Sequence, residues 1–286
     1  MKSIFKISLL VFFSCLVFIS CGHLDINYRI PNTFSVYASG YGDSVRISEL
    51  KMLEIAIENL KTHKSVEIIC FGNSSSKAIS DLKIHGTTVI NFENGEVTEL
   101  YRESYSIGSG IIGSRACRAK RFYYNQNEGK TYSQHTKNLS KTKTYIYENN
   151  QIIQSTADFE KEFNRYAGDI FMYEINRDTI LSLEKPLMLC NKTKTYSFAF
   201  NLNPETSSIK AAKETVDTGG LKDVKHEKVT VFYVIDEHIK IVYYEIHCTY
   251  KIDTGIPIFG KQQVRAKLNQ TIEYFDFLSQ MPWIGE

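Results

Sequence analysis

Histidines and carboxylates are the residues in this sequence that could bind a metal or transfer protons. The seven histidines include no HExxH motif and no pair at the spacing that metal ligands require. Glu245 and His247 are two apart on a predicted strand, so they share one face and could form a metal site or an acid–base pair. The alternation of that strand puts both on its polar side, and we interpret them as a surface pair. No GxSxG motif occurs, so the sequence predicts no enzymatic activity, no cofactor and no metal site.

One glycine-rich stretch, from Gly108 to Gly113, matches the GxGxxG pattern of dinucleotide sites. Such a site needs a helix directly after the glycines, because the helix N-terminus binds the pyrophosphate. A predicted strand follows here instead, so we interpret the stretch as a loop at the rim of a sheet. Four basic residues lie beside it: Arg115, Arg118, Lys120 and Arg121. They are compatible with a solvated strand face or with a site for an anionic head group or polymer.

The N-terminal 20 residues predict a signal peptide. Lys2 and Lys6 precede an apolar run from 7 to 19, which is shorter than the roughly 20 residues that span a bilayer. The ending Phe18-Ile19-Ser20-Cys21 resembles a bacterial lipobox, which implies that Cys21 becomes the lipidated first residue of the mature chain. A signal peptide cleaved without lipidation and an uncleaved hydrophobic anchor are the alternatives. We expect residues 21–45 to form a tether and residues 46–286 to form a single domain.

Four cysteines follow the leader: Cys70, Cys117, Cys190 and Cys248. An even number in an exported chain is compatible with two disulfides, but four cysteines allow three connectivities. Pairing within each half of the chain is the simplest hypothesis, Cys70 with Cys117 and Cys190 with Cys248. The same residues are equally compatible with small hydrophobic side chains in a core.

Charge and composition argue against nucleic-acid binding and favour a fold rich in strands. Without the two lysines of the leader, the 34 Lys and Arg residues become 32 and equal the 32 Asp and Glu residues. A neutral chain lacks the concentrated basic face of a nucleic-acid-binding protein, so we predict no nucleic-acid partner. The 18 Tyr and 17 Phe favour strands, since aromatic rings pack well on a pleated surface. Protein partners cannot be inferred from the sequence.

Two amphipathic helices are predicted. Ser48 is a plausible N-cap for the first, which continues to about Lys64. Its apolar stripe must lie against a sheet or another helix and consists of Leu50, Leu53, Ile57 and Leu60. The second helix is predicted to start at Asp158, with one apolar face made of Phe159, Phe163, Tyr166 and Ile170.

Strands with one polar and one apolar face account for most of the remaining chain, including a predicted strand at 142–147. Asn94-Gly95 predicts a tight hairpin. The clearest strands are 229–235, 239–252 and 263–274, and in the second of these Glu245 and Lys251 take the polar face. The apolar face contains Val242, Tyr244, Ile246 and Cys248, matched in the third strand by Val264 and Leu268. This alternation is typical of an antiparallel sheet that is exposed on one side.

A lipobox leader followed by this order of elements resembles exported bacterial lipoproteins of the LolA and LppX kind. The likeness covers about residues 45–277. It implies an α+β fold in which a curved antiparallel sheet, a half-barrel, packs against two or more amphipathic helices. It also implies a lipid-anchored, extracytoplasmic protein on a bacterial membrane, with an apolar cavity for a lipid or similar ligand. The residues expected to line that cavity are Leu50, Leu53, Ile57, Leu60, Val242, Tyr244, Ile246, Val264 and Leu268. Two alternatives stay open: a surface interaction protein with a filled core and no ligand, and an enzyme whose site the sequence does not reveal.

Overall fold

The computed structural model describes residues 48–76, 82–108, 118–135, 152–219, 222–253 and 260–282. The elements in chain order are α1 (Glu49–Leu60), β1 (Ser65–Ser75), β2 (Leu82–Glu93), β3 (Glu96–Gly108), β4 (Arg118–Asn125), β5 (Lys130–His135), β6 (Ile152–Ser155), α2 (Thr156–Phe163), β7 (Ile180–Cys190), β8 (Thr195–Leu202), α3 (Pro204–Ser207), α4 (Ile209–Gly219), β9 (Lys222–Ile235), β10 (Ile241–Asp253) and β11 (Lys261–Phe275). Several predicted features lie outside the described residues: the predicted leader with Cys21, the predicted tether, Arg115, Cys117 and the strand predicted at 142–147.

All described strands belong to one curled antiparallel sheet in the order β6-β5-β4-β3-β2-β1-β11-β10-β9-β8-β7. Two meanders, β1 to β6 and β7 to β11, are joined where the first strand pairs with the last. The concave face carries the main hydrophobic core, against which α1 packs. The predicted α+β class with a curved antiparallel sheet is confirmed.

The three strands nearest the C-terminus follow the predicted alternation. β9, β10 and β11 are consecutive and antiparallel. Tyr244, Ile246 and Cys248 are buried, and Lys251 is exposed. Glu245 was expected on the wet face but is half-buried, because neighbouring side chains on that face enclose its carboxylate.

A β-bulge changes the alternation at the start of β10. Ile241 pairs with Ile235 and Tyr243 pairs with Val234, so Val242 is an extra residue in its strand. Ile241 is therefore fully buried, whereas Val242 is only half-buried and is not part of the main core. The prediction that Val242 shares the dry face is wrong for this reason.

Helix α1 begins as predicted and ends earlier than predicted. The Ser48 hydroxyl accepts a hydrogen bond from the backbone N–H of Lys51, which caps the helix. The helix stops at Leu60, not at Lys64. The side chains it buries are Met52, Leu53, Ala56 and Leu60. The small Ala56 faces the sheet and allows a close approach, so Leu50 and Ile57 flank the buried stripe.

Turn residues set the hairpins of the first meander. Asn94 and Gly95 have φ angles of 53° and 81°, the left-handed values that the predicted two-residue hairpin requires. Gly129 has a φ of 61° in the turn between β4 and β5, a left-handed value that glycine adopts without strain.

Helix α2 is shorter than predicted and starts at another cap. Ser155, not Asp158, is its N-cap and accepts a hydrogen bond from the Asp158 N–H. Asn164 adopts the left-handed conformation with a φ of 48° and ends the helix at Phe163. The residues from 164 to 179, called the plug segment below, therefore form an irregular connection and not the second half of a helix.

No helix in the described part of the chain is long and apolar enough to cross a membrane.

Candidate functional site

The space that the sequence assigned to a ligand is packed as core. Most of the residues expected to line it belong to one continuous hydrophobic cluster: Leu53, Leu60, Tyr244, Ile246 and Val264, with Leu50, Ile57 and Leu268 packed against them. Leu53 and Leu60 are 1% and 0% exposed, and Val264 is 1% exposed. Helix α1 therefore closes directly onto the sheet, and a ligand site must be sought elsewhere.

The plug segment fills the concave side next to the α1 core. The ring of Phe171 contacts the ring of Tyr244 edge-on at 5.5 Å. Arg102, on β3, donates hydrogen bonds to the backbone oxygens of Asp169 and Ile170 at 3.0 and 3.3 Å. Burial lowers the pKa of this guanidinium, and the carboxylate of Glu214 opposes the shift. A buried charge thus fixes the plug segment to the sheet.

Two ion pairs join the plug segment to α4. Arg165 Nη2 lies 2.9 Å from a carboxylate oxygen of Glu214, and Lys210 Nζ lies 3.0 Å from Asp169. The Arg165 side chain is 1% exposed and stacks over the ring of Phe159 at 5.0 Å. Its Nε and Nη1 atoms have no hydrogen-bond partner among the described residues. Such incomplete pairing of a buried charge makes this junction sensitive to the loss of the Glu214 carboxylate.

An open cleft of about 550 Å³ lies beside this junction. Its walls come from the end of α2, from α3 and the first turns of α4, and from the start of β9. The lining is mostly apolar and includes Phe163, Pro204, Ile209, Ala212 and Val224. Phe163 and Val224 also pack against the main core, and Ile209 is 55% exposed. None of the nine residues predicted to line a cavity belongs to this cleft.

His226 lies at the cleft and is 4% exposed. The hydroxyl of Tyr173, from the plug segment, lies 3.1 Å from His226 Nε2 and donates to the sulfur of Cys248 at 3.6 Å. We assign the tyrosine proton to the sulfur, which leaves the Nε2–H of neutral His226 as the donor to the tyrosine oxygen. Nδ1 is then a buried acceptor without a partner among the described residues.

Burial keeps these three groups neutral. It lowers the pKa of His226 to about 4, raises the pKa of Cys248 to about 11 and raises the pKa of Tyr173 well above its ordinary value. A nucleophilic site would need a thiolate, and a proton-transfer site would need a group that titrates near neutral pH. The trio therefore provides hydrogen bonds and shape, which suits binding.

A bulge in β9 turns His226 towards the interior. Thr249 pairs with Lys228 and Tyr250 pairs with His226, so Glu227 is the extra residue. Strict alternation from the buried Val229 would have pointed Glu227 inwards. The bulge exposes that carboxylate and buries the imidazole. His226 could not be recognised from the sequence, because strand alternation is its only local signal and the bulge reverses that alternation.

The other candidate groups are engaged in surface contacts. Glu245 accepts hydrogen bonds from Tyr243 and His247 and pairs with Lys267 at 2.9 Å. Its partial burial would raise its pKa, but bonds from Lys267, Tyr243 and His247 hold the pKa below the ordinary value. No group of three or more His, Cys, Asp or Glu side chains in the described ranges is arranged to hold a metal. The surface-pair interpretation of Glu245 and His247 fits this network.

The glycine-rich stretch and the basic residues beside it are only partly described. Gly108 ends β3 and Arg118 begins β4, and residues 109–117 lie outside the described ranges. Arg121 Nε lies 3.2 Å from Glu103 on the neighbouring strand, which neutralises one of the four basic side chains.

The predicted pairing of Cys190 with Cys248 is wrong. Both are buried free thiols. Cys190 lies on β7 and Cys248 on β10, and two strands separate them in the sheet. Three inter-strand steps amount to about 14 Å, twice the largest Cα separation that a disulfide spans. Cys70 is also a free thiol, and its expected partner Cys117 lies outside the described residues.

The fold and the cleft together define an open half-barrel whose concave side is mostly filled and which has an apolar cleft between α2, α4 and β9. No family model matches the chain, and no curated protein matches it. A LolA superfamily protein from Nitrosomonas europaea is similar at 8% identity and a TM-score of 0.27, over 82% of this chain and 96% of that chain.

Two further solved structures are similar at the same low level. A DUF1329 family protein from Desulfovibrio piger has 8% identity and a TM-score of 0.29, over 79% of this chain and 92% of that chain. Lipovitellin, in a structure of lipid–protein interactions, has 10% identity and a TM-score of 0.30, over 76% of this chain but 26% of that chain. At these values the function must be inferred from the residues of this chain.

Proposed function

We propose that this protein is a lipid-anchored, extracytoplasmic lipoprotein that binds an apolar ligand in the cleft between α2, α4 and β9. The observation that carries the proposal is the cleft itself, an open, largely apolar space of about 550 Å³. Ligand sites usually have about 300–1,000 Å³ and mostly hydrophobic walls with a few polar groups. The buried imidazole of His226 and the rim lysine Lys213 are such polar groups.

The proposal moves the ligand from the α1 side of the sheet to the α4 side. Under α1, aliphatic side chains close the space, whereas the cleft wall contains the small Ala212 and the half-exposed Ile209. Exposed apolar side chains around a concave surface are costly in water unless something covers them. An acyl chain would cover them without rearrangement of the α1 core.

Membrane attachment is proposed from the leader. The short apolar run and the ending Ser20-Cys21 support lipidation of Cys21. Acyl chains on Cys21 would hold the domain at a membrane, and a source of apolar ligand would then be close to the cleft.

Photolabelling in membranes tests the ligand site. We expect a long-chain probe with a diazirine on its tail to label peptides from 204–213 and 224–226 when cells expressing the full chain are irradiated. Ala212→Trp would place an indole in the cleft, and we expect it to reduce this labelling at least fivefold. The measurement is peptide mapping by mass spectrometry.

Leu181→Trp provides the matched control, because it adds the same indole at a side chain that is 64% exposed and does not line the cleft. Labelling should persist in this variant. Labelling confined to α1 would contradict the cleft proposal and return the ligand to the α1 side of the sheet. Labelling absent from the domain would leave a surface interaction protein with a filled core.

Detergent partition tests the anchor. We expect the wild-type protein to enter the detergent phase of Triton X-114, because acyl chains add about 0.8 kcal/mol for each buried methylene group. Cys21→Ala should move it to the aqueous phase, whereas Cys15→Ala should leave partition unchanged. A wild-type protein in the aqueous phase would refute lipidation.

A further inference from the structure

Some charged side chains around the cleft pair with another described residue, and others do not. Glu162, Glu205, Lys213 and Lys225 line it. Lys225 Nζ lies 3.6 Å from Glu205, and both side chains are more than 70% exposed. Glu162 is exposed and accepts a hydrogen bond from Gln154 on β6 at 3.5 Å. Lys225 and Glu205 are therefore paired with each other, and Glu162 is solvated.

Lys213 differs from the other charged residues of the cleft. It is half-buried, and no carboxylate in the described part of the chain lies within ion-pair distance of its ammonium. Its Nζ lies 5.1 Å from the centroid of the Phe163 ring, which is itself part of the apolar lining. A cation–π contact of this kind favours a fixed position for the ammonium over the ring. The positive charge is thus held at the border between the apolar wall and water.

A fixed cation beside an apolar wall is complementary to an amphiphile with an anionic head. The tail would cover Phe163, Ile209 and Val224, and the head would supply the carboxylate that Lys213 lacks. We propose, as a refinement of the function proposed above, that the cleft takes a monoanionic amphiphile such as a fatty carboxylate, whose head pairs with Lys213.

The charge of the remaining polar groups limits the head to one negative charge. His226 is neutral above pH 5, because burial lowers its pKa to about 4. Lys225 already has Glu205 as its partner. Arg165 is paired with Glu214, and its side chain is 1% exposed. One ammonium balances a carboxylate, whereas a phosphate dianion would keep an uncompensated charge beside apolar side chains.

Two photolabelling probes with identical tails test the inference in membranes containing the full chain. One probe is a diazirine fatty acid and the other is the corresponding fatty alcohol. Below saturation, we expect the acid to label the cleft peptides about fivefold more strongly than the alcohol, which corresponds to about 1 kcal/mol. Lys213→Met should lower acid labelling to the alcohol level without changing alcohol labelling, and Lys213→Arg should restore it.

Lys185→Met is the matched control, because the Lys185 ammonium also lies over a ring, that of Phe232 at 5.5 Å, and does not line the cleft. Lys185→Met should leave the labelling by both probes unchanged. Equal labelling by acid and alcohol, or acid labelling unchanged by Lys213→Met, would overturn the head-group inference and leave the apolar ligand site intact. Failure of both probes to label the wild-type cleft would overturn the proposed function and this inference together.

Discussion

The concave face of the sheet packs in one way under α1 and in another way under the plug segment. Under α1 the contacts are apolar and nearly complete, with Met52, Leu53, Ala56 and Leu60 at 1% exposure or less. Under the plug segment the sheet meets buried guanidiniums, an imidazole and ion pairs, and several of their atoms have no hydrogen-bond partner among the described residues. Complete apolar packing gives stability and one fixed arrangement, whereas incompletely paired polar groups reduce stability. The cleft lies on the second side, which supports a functional role for the polar side and a structural role for the α1 side.

We expect the largest loss of stability when the buried ion pair between Arg165 and Glu214 is broken. Glu214→Gln removes the only described counter-charge in contact with Arg165, whose side chain is 1% exposed. We expect a loss of about 3–5 kcal/mol in the free energy of unfolding, because an uncompensated charge remains buried. Urea denaturation measures it.

Two control variants give stability losses with which the loss in Glu214→Gln can be compared. Glu205→Gln disrupts a pair whose side chains are more than 70% exposed and should cost less than about 1 kcal/mol. Arg165→Met removes the buried charge itself and should cost less than Glu214→Gln. If Glu214→Gln is as mild as Glu205→Gln, the junction between the plug segment and α4 is well hydrated and the contrast between the two sides fails.

A smaller effect concerns pH. The folded state lowers the pKa of His226 to about 4 from an ordinary value of 6.5, so the unfolded state binds a proton more readily between those values. Stability is therefore full above pH 6.5 and falls as the pH drops towards 4, by about 2–3 kcal/mol at pH 4.5. His226→Gln should remove that share of the pH dependence, since glutamine does not titrate.

A variant on the α1 side provides a stability loss that should not depend on pH. Leu60→Ala should lower stability by about 2–5 kcal/mol at every pH, because it opens a cavity and changes no titrating group. Denaturation curves at pH 7.5 and 4.5 for the two variants and the wild type separate the effects. An unchanged pH dependence in His226→Gln would mean that His226 is hydrated in solution.

Regular periodicity made much of the fold predictable. The alternation through Tyr244, Ile246 and Cys248 gave the correct face of β10, and Asn94-Gly95 gave the correct hairpin. The first helix was found from its Ser48 cap and apolar spacing. In each case one local rule agrees with the tertiary packing.

The site could not be predicted because it depends on exceptions to periodicity. The extra residues Val242 and Glu227 reverse the alternation in their strands, and only the pairing of β9 with β10 reveals them. The apolar residues Tyr166 and Ile170 continue the helical spacing of α2, but Asn164 ends the helix before them. The plug segment that follows has no period, and its position depends on Arg102, more than 60 residues earlier in the chain. No local pattern contains that information.

The pairing of β1 with β11 has a consequence for the order of folding. Each meander contains mainly local contacts and can assemble early, but their union joins residues about 200 positions apart, such as Val66 and Tyr274. Bringing such distant residues together costs chain entropy and slows the pairing of β1 with β11. We therefore expect this pairing to be a late step in folding. Until the two meanders join, β1 and β11 each have a free edge open to pairing with other chains. The end of the chain thus protects its beginning from aggregation.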